Sequence, residues 1–389
     1  GRVVAQLVLG EPRVTLEPQR LIPDELGRVM LRGALRSDAE HVAALVNWGS
    51  HGVLPCARDL RLALPRFAFT CPISAKDGRA WIQVMAKPQG KVLSDSVLEL
   101  LVHRSAADVA SYALVNPDEA APATDAATFT AALLPVLNQA RAAGGMQPLA
   151  LAEQQSQTAT ALAPHFFAAY AGEGDPQIQE RIALGLMAGW EVGGEIRGGD
   201  LVVALHGPGH DVREWLANAL ELPIGRRVLL GRAARRIALG PLVSAEPAAL
   251  AAVVTTYSFF ESADHQAEAT QVIEELAELR RQHEVPGKVV LVRDLSERMA
   301  AQAQQLQKGQ FPTEALQAML EQISSLQQTA ARGFVFQSSD LSALRLPPEL
   351  WRGRGRLPVA VTVTHHKPKG AAWAHLVVFL VALEPGPEA

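Results

Sequence analysis

The sequence has few of the features that mark nucleic-acid-binding or membrane proteins. Its 389 residues carry 36 basic and 40 acidic side chains, a formal net charge of −4, and no long run of like charges. A near-neutral chain without a basic run has no electrostatic attraction to a polyanion such as nucleic acid. The longest apolar stretch, Leu376–Leu383, is far shorter than the roughly 20 residues that span a bilayer. We therefore expect no nucleic-acid partner and no transmembrane segment.

Cysteine is nearly absent as well. Cys56 and Cys71 lie fifteen positions apart in a region of strand-like sequence, and no CxxC spacing suggests a metal or redox site. They form either a disulfide between neighbouring strands or two independent buried thiols, and we favour the disulfide because no other cysteine competes. A disulfide, and a first residue, Gly1, that is not an initiator methionine, predict an extracellular or cell-envelope location with a signal segment removed.

The length predicts two or three domains. Residues 1–104 contain short apolar runs separated by turn residues at the spacing typical of an all-β sandwich. Phe67 and Phe69, which precede a glycine-containing hairpin and an aromatic strand, make this segment similar to bacterial immunoglobulin-like domains. Trp48 and Trp81 are expected to pack in its core rather than form a stacking surface.

Residues 105–127 lose this periodicity and are rich in Ala, Asp and Pro, which predicts a linker. Helical signals then begin. Thr128–Ala143 has apolar residues at helical spacing and ends at Gly144-Gly145, and a second helix is expected at about Ala152–Ala169.

The helical segment resembles the opening of the CAP superfamily, the SCP-like fold of cysteine-rich secretory proteins. The features that carry the resemblance are an Asn and an Arg on the first helix, then a Gly, then a Pro-Leu step before an Ala-rich second helix. They are supplied by Asn138, Arg141, Gly144, Pro148 and Leu149. Downstream, Gly194-Glu195-Ile196 resembles the family's Gly-Glu-Asn segment, the helix around Trp215 its tryptophan helix, and Val253–Ser258 a closing strand of its sheet. The resemblance covers residues 128–260 and implies an α-β-α domain.

Family members with a complete cleft carry two His and two Glu side chains, which can hold a divalent metal. Here Glu195 matches one acid, but Asn218 stands at the other acidic position and Arg226 at one histidine position. The remaining histidine falls near Tyr170, with His165 the nearest imidazole. Because guanidinium has no lone pair and a permanent positive charge, we expect neither a metal at the family position nor any cofactor.

A second, degenerate CAP-like copy is expected over residues 261–389. Val272–Gly309 repeats the order of events in Val136–Phe167, namely a helix ending in basic residues, a Pro-Gly break, an apolar step and an Ala/Gln-rich helix. The alternative is that two ordinary helical hairpins look alike. A helix at about Thr313–Thr329 and a β-hairpin over Arg356–Leu383, turning at Pro368-Lys369-Gly370, would complete an α-β-α arrangement. The predicted fold class is therefore multidomain, an immunoglobulin-like sandwich followed by one or two α-β-α CAP-like domains.

Three further patterns in the sequence contain residues that could form a site. His206 and His210 flank Gly207-Pro208-Gly209, which disfavours a helix, so a loop metal site there is only a weak alternative. His365 and His366 are adjacent on a strand and point to opposite faces, so together they cannot chelate one ion. An arginine cluster suggests an anion-binding rim beside Glu195, formed by Arg226, Arg227, Arg232, Arg235 and Arg236.

The sequence lacks a G-x-S-x-G elbow, an S-x-x-K motif with its supporting motifs, and a phosphate-binding glycine loop. It therefore predicts a secreted or envelope-associated CAP-like protein that is a non-catalytic scaffold, with a lipid, a cell-wall polymer or a protein as partner. One alternative is an envelope hydrolase with Glu195 as general base and His165, His206 or His210 as its partner. Another is a structural component that pairs with a second chain through Leu295–Leu306.

Overall fold

The computed structural model describes residues 12–19, 21–74, 78–91, 93–103, 121–190, 195–206, 209–245, 248–260, 264–327, 330–341, 344–368 and 371–383. The chain divides into two compact units: Gly1–Met187 with Asp200–Thr256, and Ala188–Gly199 with Tyr257–Ala389. Most of the expected linker, residues 105–120, lies outside the described ranges. No helix within those ranges is long and apolar enough to cross a membrane.

The first unit begins with a β module of two four-stranded sheets, ordered β1-β2-β6-β5 and β4-β3-β7-β8. Alternating apolar residues such as Val29 and Leu31 on one sheet, and Ile82 and Val84 on the other, share a single core, so the module is a β-sandwich. The strands are β1 (Val14–Leu16), β2 (Arg28–Leu35), β3 (Ala39–Trp48), β4 (Gly52–Pro55), β5 (Ala57–Arg58), β6 (Arg66–Pro72), β7 (Arg79–Pro88) and β8 (Asp95–His103).

The predicted disulfide is present, because Cys56 and Cys71 are bonded within this core with their Cα atoms 4.4 Å apart. The expectation for the tryptophans is wrong for Trp48, whose side chain is 40% exposed at the end of β3. Trp81 is half-buried, and its indole N–H donates to Glu221. Tryptophan has both an apolar ring and a polar N–H, so a half-buried site beside an acceptor satisfies both.

A mixed sheet with the order β10-β12-β11-β9 follows, with helices on both faces. Alternate residues of β12 contact opposite layers, since Leu250 and Val254 pack with α1 and α4, whereas Ala251 and Val253 pack with α2 and α3. The elements are α1 (Ala126–Ala143), β9 (Ala150–Leu151), α2 (Glu153–Tyr170), α3 (Pro176–Ala188), β10 (Ile196–His206), α4 (Val212–Glu221), α5 (Pro223–Leu229), β11 (Ala234–Ala245) and β12 (Ala248–Phe259).

The second unit contains a sheet of the same strand sequence, β14-β16-β15-β13. Its two faces are again covered by helices, α6 and α9 on one and α7 and α8 on the other. The elements are α6 (His265–Gln282), β13 (Val289–Leu291), α7 (Arg293–Ala303), a short 3-10 helix (Gln304–Lys308), α8 (Pro312–Gln327), β14 (Ala331–Ser338), α9 (Pro348–Trp351), β15 (Leu357–His366) and β16 (His375–Leu383). The predicted turn residues Lys369 and Gly370 lie outside the described ranges.

Two buried arginines hold the corresponding helix ends. Arg141 and Arg280 each lie sixteen residues after the aspartate that caps their helix, Asp125 in α1 and Asp264 in α6. Arg141 is 0% exposed and Arg280 2% exposed. Each guanidinium donates to four backbone carbonyl oxygens, those of Gln147, Leu229, Gly231 and Ala234 for Arg141, and those of Pro286, Trp351, Gly353 and Gly355 for Arg280. Burial lowers the pKa of both groups.

A serine joins the next helix to the sheet in the same way in both halves. Ser156 Oγ accepts from the backbone N–H of Leu239 at 3.1 Å, and Ser296 Oγ accepts from that of Val361 at 3.0 Å. Two residues earlier on each strand, the carbonyls of Ile237 and Val359 accept from the residues that precede α2 and α7, both at 2.8 Å. The chain is thus a multidomain mixed α/β protein. Its two α-β-α arrangements have the same strand order and matching hydrogen bonds between helix and sheet.

Candidate functional site

Arg226, which stands where the CAP resemblance places a histidine, lies on α5 and is half-buried. Its Nε donates to Leu220 O at 2.6 Å and its Nη1 to Gly49 O at 2.7 Å. Gly49 belongs to the turn between β3 and β4, so the guanidinium links α5 to the β-sandwich. The ligand-binding role expected of Arg226 stays a prediction, whereas its contacts in the structure are structural ones.

The other residues of the expected cleft are spread over the two units. Glu195, in the second unit, is exposed, and its backbone carbonyl accepts from Phe260 N at 3.4 Å. In the first unit Asn218 is half-buried on α4, and His165 is exposed on α2. Tyr170, the last residue of α2, is 50% exposed and lies against two phenylalanine rings of the same helix.

The structure describes only part of the alternative metal site predicted at His206 and His210. His206 ends β10, but its side chain and residues 207–208 lie outside what the structure describes. His210 is half-buried, and its Nε2 lies 2.6 Å from the carbonyl oxygen of Ser244. Since a carbonyl only accepts, this nitrogen is the donor and has no lone pair available for a metal.

A cluster of metal-ligating side chains is instead found in the second unit, at His265, Glu268 and His365. His265 and Glu268 lie three residues apart at the start of α6, which places them on one face of the helix. Asp264 fixes this start by accepting the backbone N–H groups of Gln266 and Ala267. His365 reaches the cluster from β15.

The Glu268 carboxylate joins the two imidazoles. Its Oε2 lies 3.0 Å from His265 Nδ1, and its Oε1 lies 2.8 Å from His365 Nε2. One ligand atom from each residue can be chosen such that all three lie within 4.8 Å of one another. Glu268 and His365 are largely buried, whereas the His265 side chain is 47% exposed, so the cluster opens to solvent on one side.

The surroundings hold His365 in one orientation. The ring of Phe260 stacks on it with 4.1 Å between centroids, and the His265 ring meets it edge-on at 4.6 Å. His366 follows on the strand and is paired in register with His375 across the hairpin. Burial, and next the charge of His375, lower the pKa of His366. As expected for adjacent strand residues, only one of the two neighbouring histidines belongs to the cluster.

Sequence reasoning singled out His365 but not its partners. The local signal was the His-x-x-Glu spacing directly after the capping Asp264, which puts two ligating side chains on one helical face. Its meeting with a strand residue 97 positions away depends on the packing of α6 on the sheet. Among the described residues, this cluster is the one with three ligating side chains within reach of each other, and Glu195 is not part of it.

Comparisons with known proteins add little. No protein-family model matches the chain, and no curated protein matches it significantly. Among solved structures, it is similar to a cysteine-rich secretory protein from Staphylococcus aureus subsp. aureus Mu50, with 11% sequence identity and a TM-score of 0.27. That match covers 60% of this chain and 83% of the other. A TM-score of 0.27 does not establish a shared fold.

Proposed function

We propose that this chain is a secreted or envelope-associated binding scaffold, in which an immunoglobulin-like sandwich precedes two CAP-like α-β-α domains that lack the family's metal cleft. The observation that carries the proposal is the role of Arg226. Its guanidinium stands where an imidazole ligand would be needed, and it donates to the carbonyls of Leu220 and Gly49. A group that is positively charged and engaged in holding α5 to the sandwich cannot bind a metal.

The two-domain arrangement is supported by the shared strand order and by the matching roles of Arg141 and Arg280. The disulfide between Cys56 and Cys71 supports an extracytoplasmic location, because such bonds persist in oxidising compartments.

An anionic polymer of the cell envelope is the partner we propose. Arg227, Arg232, Arg235 and Arg236 are all exposed within one short segment of the first unit. Arg235 Nη1 bonds the carbonyl of Arg232 at 2.8 Å, and Arg227 lies 3.7 Å from Asp200 with both side chains more than half exposed. Exposed guanidinium groups bind phosphate and carboxylate groups in a bidentate manner.

Polyphosphate, used as a model anionic polymer, tests this surface. We expect the Arg232→Ala/Arg235→Ala variant to bind it at least tenfold more weakly than wild type, and added salt to weaken wild-type binding. The matched control is Arg293→Ala/Arg298→Ala, which removes the same charge from exposed positions of α7. Equal losses in the two double variants would show that only net charge matters and would refute the proposed surface.

The absence of a family-type cleft is tested separately. Zinc affinity measured for wild type and Glu195→Ala should be the same if Glu195 belongs to no metal site. A loss of stoichiometric zinc in Glu195→Ala would contradict the scaffold and favour the hydrolase instead.

A further inference from the structure

We propose that His265, Glu268 and His365 form a site for one divalent transition-metal ion of the zinc class, with a coordination position open to solvent. This site is in the second unit, and Glu195, around which the CAP cleft was predicted, is not one of its ligands. Metal binding at this site would be a second property of the scaffold, and the polymer binding proposed above does not depend on it.

The separations of the ligand atoms suit such an ion. Zinc binds imidazole nitrogen and carboxylate oxygen at about 2.0–2.2 Å, so tetrahedral ligand atoms stand about 3.3 Å apart. The two imidazoles lie 2.8 and 3.0 Å from different oxygens of Glu268, and one ligand atom from each residue can be chosen such that all three lie within 4.8 Å of one another. Small side-chain rotations are therefore enough to place one ion between them, with the backbone unchanged.

The two α-β-α arrangements differ at this place: Glu268 and His365 occupy positions that belong to the apolar core in the other arrangement. Counted from the capping aspartates and the buried arginines, His265 corresponds to Ala126 and Glu268 to Phe129. Counted from the strand residues that bond the two serines, His365 corresponds to Val243. Phe129 is fully buried, and Val243 packs against the same core. Two positions of the apolar core in one half, Phe129 and Val243, are thus a carboxylate and an imidazole in the other, and the half-buried Ala126 corresponds to the second imidazole.

Placing a carboxylate in an apolar core costs folding free energy unless the carboxylate has hydrogen-bond donors or an opposite charge beside it, because ionised groups lose hydration on burial. Without a metal, each imidazole can donate one hydrogen bond to Glu268. Metal binding requires the other tautomer of both rings, in which the nitrogen that faces Glu268 carries the lone pair. A cation bound to all three groups supplies the opposite charge directly. The N-terminal end of α6 opposes a cation through its partial positive charge, and the carboxylate compensates for this.

The donor set selects the metal. Two imidazole nitrogens and one carboxylate oxygen favour zinc and its neighbours over calcium and magnesium, which prefer all-oxygen sites. Three protein ligands leave a fourth tetrahedral position for water. That position faces the solvent side, where the His265 side chain is 47% exposed, while Phe260 covers His365.

The test is a zinc titration of the full chain after metal removal with a chelator, followed by calorimetry. Wild type should bind one equivalent, and zinc should raise the melting temperature of the second unit because it binds only the folded site. Glu268→Gln and His365→Gln should each weaken binding at least tenfold. The matched control is His366→Gln, one position along the same strand and on the opposite face, which should bind as wild type does.

Circular dichroism of each variant shows whether it is folded. If Glu268→Gln does not fold, His265→Gln at the half-exposed position replaces it and should also weaken binding at least tenfold. Failure of the stripped wild type to bind zinc would overturn the proposal. So would a His366→Gln variant that loses as much affinity as His365→Gln, since the ion would then lie at the His366–His375 pair.

Discussion

Trp81 of the β-sandwich donates from its indole N–H to Glu221 Oε2 at the end of α4, over 2.9 Å. Two further bonds join the sandwich to α4 and α5. Asn47 Nδ2 donates to the Glu221 carbonyl at 2.6 Å, and Gln83 Oε1 accepts from Ile224 N at 3.0 Å. Arg226 adds its bond to Gly49. Polar side chains of the sandwich thus satisfy the backbone where α4 ends and α5 begins, a place where helices otherwise leave groups unpaired.

Removing the carboxylate at this junction should loosen it. Glu221→Ala leaves the half-buried Trp81 N–H without its acceptor, which costs about 1–3 kcal/mol. Glu221→Gln keeps an acceptor oxygen and should cost less. Native-state hydrogen exchange of β7 and α4 measures the difference, and faster exchange should be confined to these elements in Glu221→Ala. Equal exchange in the alanine and glutamine variants would contradict a structural role for this bond.

The buried arginines should be equally indispensable in the two halves. Arg141→Met and Arg280→Met each leave four carbonyl oxygens without their donor, and we expect a loss of at least about 3 kcal/mol in the unit concerned. Denaturant unfolding followed separately for each unit measures it. Arg281→Met is the matched control, because Arg281 is 78% exposed and pairs with Glu278 at the surface. A small loss in Arg280→Met but a large one in Arg141→Met would argue against equivalent roles.

The disulfide should contribute a further share of the stability of the sandwich. Closing a fifteen-residue loop stabilises a folded chain by about 3 kcal/mol, mainly by restricting the unfolded state. We expect the free energy of unfolding of the Cys56→Ala/Cys71→Ala variant to be lower by about 3 kcal/mol, which shifts its unfolding midpoint to a lower denaturant concentration. Reductant should destabilise wild type to the level of the double variant and leave the variant itself unchanged. A reductant effect on the variant would mean that another process is being measured.

The residues that could be predicted are those whose partners are close in sequence or follow a repeating pattern. The helix predicted from Thr128 begins at Ala126, because Asp125 caps it, and the strand expected at Val253–Ser258 lies within β12. The disulfide followed from the presence of only two cysteines. In each case the deciding interaction is local, or no alternative partner exists.

The remainder depends on contacts between residues far apart in the chain. In the sequence Arg141 is only part of a motif, whereas in the structure its acceptors include carbonyls 88 to 93 residues away. Glu268 appears in sequence as one acid among several on a polar helix, and only the packing of α6 against β15 brings it to His365. Trp48 follows the alternation of a strand but stands at its end, where the core no longer covers it.

The turn after α6 contains a non-glycine residue, Glu284, in a strained left-handed backbone conformation. Glu284 has a φ of 53°, and the corresponding position after α1 is Gly145 with a φ of 69°. In both, the backbone N–H bonds the carbonyl three residues earlier, so the turns are alike. Only glycine adopts this left-handed conformation without a penalty.

We therefore expect Glu284→Gly to stabilise the second unit by about 0.5–1 kcal/mol, and Gly145→Ala to destabilise the first by about 1 kcal/mol. Space is not the cause at Gly145, because no heavy atom lies within 4 Å of an added Cβ. Glu284→Ala is the control for side-chain charge, since it keeps the strained backbone and should give no gain in denaturant unfolding. A gain equal to that of glycine would assign the effect to the glutamate side chain and not to the backbone.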